Sequence, residues 1–160
     1  MTFMEHHFLR KFWRINMKIE LKKLTKTATI PTRGSEYAAG YDLYADVSEI
    51  TEIEAHGTKL IKTGIAVAIP DGYFGGVFAR SGLSLKEMLR PGNCTGVVDS
   101  DYRGEIGVIL HNDSNEIRYV KPQERIAQLV VIPYLSVEFD EVEELSSTSR
   151  GEGGFGSTGK

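Results

Sequence analysis

Cysteine is nearly absent from this chain: Cys94 is the only one in 160 residues. That excludes an internal disulfide and a thiolate zinc site, so Cys94 reads as a small packing residue in a reducing, cytoplasmic compartment. Long apolar runs are missing too. No window reaches the roughly 18 residues that a membrane helix needs, so no membrane partner is expected. Residues 1–16 lack the unbroken apolar stretch of a secretory signal. They mix Arg10, Lys11 and Arg14 with Phe8, Phe12 and Trp13 and read as a leader or tag-like extension. There is no basic excess either: 19 Lys and Arg against 22 Asp and Glu leave a net charge of −3. Such a balance does not suit a broad nucleic-acid face, though it permits a site for one small anion. His6, His7, His56 and His111 show no metal-ligand spacing and read as surface or local structure. Neither a Gly-x-x-x-x-Gly-Lys-Ser/Thr loop nor a strand-to-helix glycine fingerprint is present, which excludes P-loop and Rossmann sites.

What remains is a succession of short strand patterns. Lys18–Lys22 alternates polar and apolar residues, and Gly64–Ile69 is a more buried run. Pro70-Asp71-Gly72 signals a turn, with Tyr73–Ala79 returning from it. Ile106–Leu110 is strand-like and ends in the turn cluster His111–Asn115. Arg125–Tyr134 is long and nearly all apolar, as a central strand should be, and Val137–Val142 alternates again. One helix is predicted after Ser81-Gly82, with Leu85, Met88 and Leu89 on one face, Ser81 as N-cap and Pro91-Gly92 as its end. Many short strands with one helical insert indicate an all-β sandwich, jelly roll or barrel. Residues 17–145 read as one domain. Residues 146–160 are too rich in glycine to bury an apolar face and should be mobile unless bound.

Four segments carry candidate chemistry. Arg80-Ser81-Gly82 places a guanidinium and a hydroxyl at a helix start, which suits phosphate or else forms an ordinary cap. Asn93 to Gly104 holds Asp99 and Asp101, either of which could be a general base; otherwise it is an Asp-rich hairpin turn. Asp42 is an isolated strand carboxylate, fit for Mg²⁺ directly or through water, or simply for solvent. Arg150 to Gly159 combines glycines and hydroxyls able to wrap phosphate with Phe155, able to stack on a base. Together they suggest a nucleoside phosphate handled with Mg²⁺.

From Met17 to Lys160 the chain resembles the trimeric dUTPase family. Five motifs appear in order: Ala39-Gly40-Tyr41-Asp42-Leu43; Arg80-Ser81-Gly82-Leu83; Gly96-Val97-Val98-Asp99-Ser100-Asp101-Tyr102-Arg103-Gly104; Arg125-Ile126-Ala127-Gln128-Leu129; and Arg150 through Gly159. The resemblance implies a jelly roll of the β-clip type with one short helix, assembled as a homotrimer with sites between subunits. It implies hydrolysis of dUTP to dUMP and pyrophosphate. Asp99 would be the general base, Mg²⁺ the cofactor, and Asp42 its ligand through water. Arg80, Ser81, Gly82 and Gln128 would cradle the phosphates. Asn93, Gly96 and Val98 would read uracil, Tyr102 would lie under the sugar, and Arg150, Phe155, Gly156 and Ser157 would form a lid. Two alternatives stand beside this reading: a dCTP deaminase, which shares the fold but uses a glutamate in a different hairpin, and a dUTP-binding regulatory protein.

Overall fold

The computed structural model describes residues 17–155, and over that range the chain forms twelve strands and one helix. In chain order these are β1 (Glu20–Lys23), β2 (Thr32–Arg33), β3 (Tyr41–Tyr44), β4 (Thr51–Ile53), β5 (Thr58–Lys62), β6 (Ile65–Ala68), β7 (Tyr73–Phe78), α1 (Ser81–Glu87), β8 (Leu89–Pro91), β9 (Gly96–Val98), β10 (Gly107–Asn112), β11 (Arg118–Val120) and β12 (Arg125–Pro133). The expected β-rich architecture with one short helix is therefore observed.

Every ladder between the described strands is antiparallel. The largest sheet runs β2-β3-β12-β7-β9, a second runs β5-β10-β8, and the pairs β1-β6 and β11-β4 complete the set. The apolar run of β12 is central, as its composition predicts: it pairs with β3 on one side and β7 on the other. Leu43, Ile61, Ile65, Leu110, Ile126 and Ala127 are at most 1% exposed and lie in one continuous core. The β6–β7 turn forms where Asp71-Gly72 predicts it. Gly72 takes φ +79°, Tyr73 N–H donates to the Pro70 carbonyl at 3.2 Å, and the Asp71 carboxylate accepts from Gly72 N–H.

Three expectations are corrected. Val137–Val142 belongs to no described ladder, although its alternation is that of a strand. Phe139 is fully exposed and Leu135 and Leu145 nearly so, because nothing among the described residues covers them. The helix is shorter than its pattern suggests. Leu83 is its buried residue, Leu85 is exposed, Met88 ends it in the left-handed conformation, and Leu89 opens β8. Pro91 lies within β8 and does not terminate the helix. The N-cap is Arg80, with extended backbone and no capping side chain, and Ser81 is the first helical residue. Third, no hairpin forms within Asn93 to Gly104: its one strand, β9, pairs with β7, while the strands that flank the segment, β8 and β10, pair with each other.

Asn112 closes the end of β10. It is fully buried. Its Nδ2 donates to the carbonyls of Ile53, Glu54 and Glu116 at 2.7–3.1 Å, and its Oδ1 accepts from the backbone and hydroxyl of Ser114. The bond to Ser114 N–H is the Asx turn behind the His111–Asn115 signal. Loss of this side chain strands several buried backbone groups. Asn112→Ala should cost about 2–4 kcal/mol, read as a lower denaturant midpoint at fixed protein concentration. A midpoint within error of the wild type would show the network to be dispensable.

Candidate functional site

The register of the large sheet gathers the first group of residues. Gln128 on β12 stands opposite Asp42 on β3 and Phe78 on β7. The ladder slips between Arg125 and Ala127, so Ile126 and Ala127 are both buried although they are consecutive. This bulge shifts the phase of β12, and Arg125 and Gln128 come to border the same cleft. The side chain of Gln128 is fixed by donation from Nε2 to the Ala79 carbonyl at 2.8 Å. Gly40 lies against it: a Cβ there would lie 2.4 Å from Gln128 Oε1 and would push the amide from this position.

Asp42 is the electrostatic centre of this cleft. Its Oδ1 accepts from Arg80 Nε at 2.8 Å and its Oδ2 from Arg125 Nη1 at 3.2 Å. The Asp42 side chain is 12% exposed, against 25% for Arg80 and 51% for Arg125. Arg80 Nη1 also reaches the Arg125 carbonyl at 3.4 Å. Two guanidiniums and one carboxylate leave a net positive charge beside an open space of about 210 Å³. Ser81 and Gly82 border it at the start of α1, and no atom lies within 4 Å of where a Gly82 Cβ would be, so the approach there is clear. The arrangement suits an anion with several oxygens, which the planar forks of Arg80 and Arg125 can bind.

The fit to Mg²⁺ follows from the donor set. Among the described residues no group of three or more His, Cys, Asp or Glu side chains could hold a metal. Asp42 is the single carboxylate of the cleft. A carboxylate offers about four acceptor positions. The arginines use two, and the others remain for metal-bound water. That fits a cation that keeps most of its waters and is shared with phosphate oxygens, and it does not fit an all-protein cage.

A second group of predicted residues does not line the cleft: Asn93, Gly96, Val98, Asp99 and Tyr102. Asp42 lies on β3 and Asp99 just after β9, with β12 and β7 between, three strand spacings or about 14 Å across the sheet. β9 ends the sheet, so one of its backbone edges is unpaired among the described strands and offers N–H and C=O groups. Val98 turns its side chain to the core and contributes only backbone outward. Gly96 packs on β7, where a Cβ would meet Val77 at 3.2 Å and Asn93 Nδ2 at 3.3 Å. Asp99 is exposed, and its carboxylate has no partner among the described residues. Tyr102 is half-exposed and donates its hydroxyl to the Glu105 carbonyl at 3.0 Å.

The tail is separate again. Arg150 Nε donates to the Gly153 carbonyl at 2.7 Å in a local turn, and Phe155 is fully exposed. Gly156 and Ser157 lie outside the described residues, as does the leader at 1–16. Of the histidines, His111 bonds Thr58 and pairs with Asp113, and His56 bonds Asn115, in keeping with a local structural role. Arg125, Gly34 and Ala38 also line the cleft, and none of them stands out in the sequence as a site residue. Arg125 lies inside a quoted motif, but strand alternation alone would put it on the face away from Gln128.

Arg125→Gln removes one of the two guanidiniums and makes the cleft formally neutral. Tripolyphosphate should bind roughly ten-fold more weakly by calorimetry, the order expected for one charge-assisted contact. Unchanged affinity would show that Arg125 serves Asp42 alone and not the ligand.

Known proteins carry the same pattern. The family model for dUTPase matches residues 26–159. The deoxyuridine 5'-triphosphate nucleotidohydrolase of Oryza sativa subsp. japonica is 45% identical over 149 residues, 93% of this chain and 85% of that protein. That of Nautilia profundicola is 49% identical over 144 residues, 90% of this chain and all of the other. A solved structure of Staphylococcus bacteriophage 80alpha dUTPase with dUpNHpp superposes with a TM-score of 0.81 at 33% identity, covering 89% of this chain and 99% of the phage chain. By sequence and by fold, the chain belongs to the dUTPase family.

Proposed function

We propose that this dUTP diphosphatase cleaves dUTP to dUMP and pyrophosphate by attack of water on the α-phosphorus, with Asp99 as general base. The observation that carries the reading is the separation of two complementary halves. Among the described residues, one is a cationic cleft with no free base, and the other is a free carboxylate beside an unpaired strand edge. Neither half suffices for phosphoryl chemistry, which needs the phosphates held and the nucleophile aligned together.

A homotrimer unites them. In this reading the β9 edge and Asp99 of one jelly-roll subunit face the Arg80 cleft of another. The exposed Leu135, Phe139 and Leu145, with no cover among the described residues, support an assembly in which another copy covers them. Residues 17–145 form the catalytic domain. From residues 146–160, Arg150, Phe155, Gly156 and Ser157 close over the bound nucleotide, and Phe155 stacks on the base.

The roles follow from chemistry. Arg80 and Arg125 fork onto phosphate oxygens, Gln128 keeps the wall between them, and Ser81 and Gly82 let the chain approach closely. Asp42 would hold Mg²⁺ through water, and the ion would supply charge neutralisation on the phosphate oxygens. Asp99 orients the water and accepts its proton, while pyrophosphate departs with the P–O bond electrons. Backbone N–H and C=O groups on the β9 edge, with Asn93, meet the uracil edge. Cytosine inverts that pattern and leaves buried groups unpaired. Tyr102 lies against the deoxyribose and excludes a 2′-hydroxyl. In the cytoplasm, such an enzyme keeps uracil out of DNA and supplies dUMP for dTMP synthesis.

Pyrophosphate release with Mg²⁺ from dUTP, dCTP, dTTP and UTP in parallel tests the reading. Turnover is expected for dUTP alone. Ammonia from dCTP would move the chain to the deaminase branch, and no turnover of any of the four would point to a binding-only role. Asp99→Asn should keep the fold and nucleotide binding while kcat falls by roughly 10²–10⁴, the usual contribution of a general base. Full turnover by that variant would remove Asp99 from the mechanism.

A further inference from the structure

The loop that carries Asp99 and Tyr102 is exposed, yet one point after it is strongly fixed. Ile106 N–H donates to the Ile65 carbonyl at 2.9 Å, and the Ile106 carbonyl accepts from the buried Thr63 hydroxyl. Glu105 adds a third tie: its Oε1 accepts from Gly64 N–H at 2.8 Å. Gly64 is itself immobile. It sits at φ +67°, where a Cβ would lie 2.3 Å from Asp46 Oδ2 and 2.7 Å from Ala28 Cβ, and its carbonyl accepts from Leu24 N–H. The Glu105 side chain is 26% exposed, and its other oxygen stands 3.9 Å from Lys62 Nζ, too far for a close pair. Its strong contact is therefore the backbone N–H of Gly64.

The Glu105 carbonyl is the group that accepts the Tyr102 hydroxyl, at 3.0 Å. The ring also fills the space above Gly104: a Cβ there would lie 2.3 Å from Tyr102 Oη and 2.5 Å from Cζ. The ring position is thus set from both ends, by the main chain beneath it and by the carbonyl that holds its hydroxyl.

We infer that Glu105 is a positioning residue for sugar discrimination: by locking its own carbonyl to the β5–β6 corner, it holds the Tyr102 ring where a 2′-hydroxyl would collide with it. The inference rests on the reading of Tyr102 as the residue against the deoxyribose. A ring free to tilt by a fraction of an ångström would admit the extra oxygen, because steric exclusion, unlike an unmade hydrogen bond, lasts only while the wall stays in place.

The test is the ratio of kcat/KM for dUTP to that for UTP, measured on the assembled full-length chain with Mg²⁺. Glu105→Ala should lower the ratio roughly ten-fold, the scale of one lost side-chain hydrogen bond, chiefly by raising activity on UTP. Glu105→Gln should restore it, since the amide oxygen can still accept from Gly64 N–H, and Lys62→Ala should leave it unchanged. Equal losses on both substrates in Glu105→Ala, with the ratio preserved, would reduce Glu105 to a structural role and overturn the inference. If Glu105→Ala does not fold, Tyr102→Phe decides: it keeps the ring and deletes the tether, so a fall in the ratio upholds the positioning and an unchanged ratio overturns it. A wild-type enzyme that takes UTP as readily as dUTP would instead overturn the assignment of Tyr102 to the sugar.

Discussion

Two guanidiniums share the carboxylate of Asp42, and the geometry of the cleft depends on that contact. Arg80 and Arg125 would repel each other if brought to one cleft without an anion between them. Asp42 supplies the anion from the face of β3 opposite to that of Leu43, which is fully buried in the core. The triad is consequently fixed beside the buried core of the sheet. It keeps one unit of positive charge after internal pairing, and the nitrogens not directed at Asp42 are available to a ligand. The arrangement is preorganised: the dipoles and charges are in place before the anion arrives, so little reorganisation opposes binding.

The ability of Arg125 to join this triad comes from a backbone irregularity. In a regular strand, residues 125 and 128 face opposite sides of the sheet. The bulge between Arg125 and Ala127 cancels that parity. Ile126 and Ala127 both enter the core, and Arg125 and Gln128 both meet the cleft. The central strand thus serves the core along most of its length and the site at one end.

The same physics explains which features were legible in the sequence. The apolar run of β12, the buried run of β6 and the Asp71-Gly72 turn could be read because local composition and burial agree there. Asp42, Arg80, Ser81, Gly82 and Gln128 were singled out and do converge, while Arg125 was not, since a bulge leaves no mark in a hydrophobic pattern. β5 carries no strand signal because Thr58–Lys62 is polar at three of its five positions and exposed at four, Leu60 among them. The helix was overextended because Leu85, Met88 and Leu89 have helical spacing, but the left-handed Met88 turns Leu89 into a strand. Val137–Val142 shows the opposite limit. Alternation reports that a segment has an apolar face; it says nothing about which chain covers that face.

Rigid and unpartnered groups divide the work accordingly. Five of the residues assigned to holding or recognising the nucleotide are tied: Gln128 to Ala79, Arg80 and Arg125 to Asp42, Tyr102 to Glu105, Val98 to β7. Asp99, the one group assigned to moving a proton, has no side-chain partner among the described residues. A carboxylate already bonded to an arginine would be a weaker base, because its lone pairs would be stabilised before the water arrived. Selectivity gains from walls that do not yield, and proton transfer gains from a base with an open coordination sphere. Placing the bound arginines at the start of α1 and on β12 around Asp42, and Asp99 beyond β9, three strands from Asp42, lets the same small sheet meet both demands, provided that a neighbouring copy brings the two together.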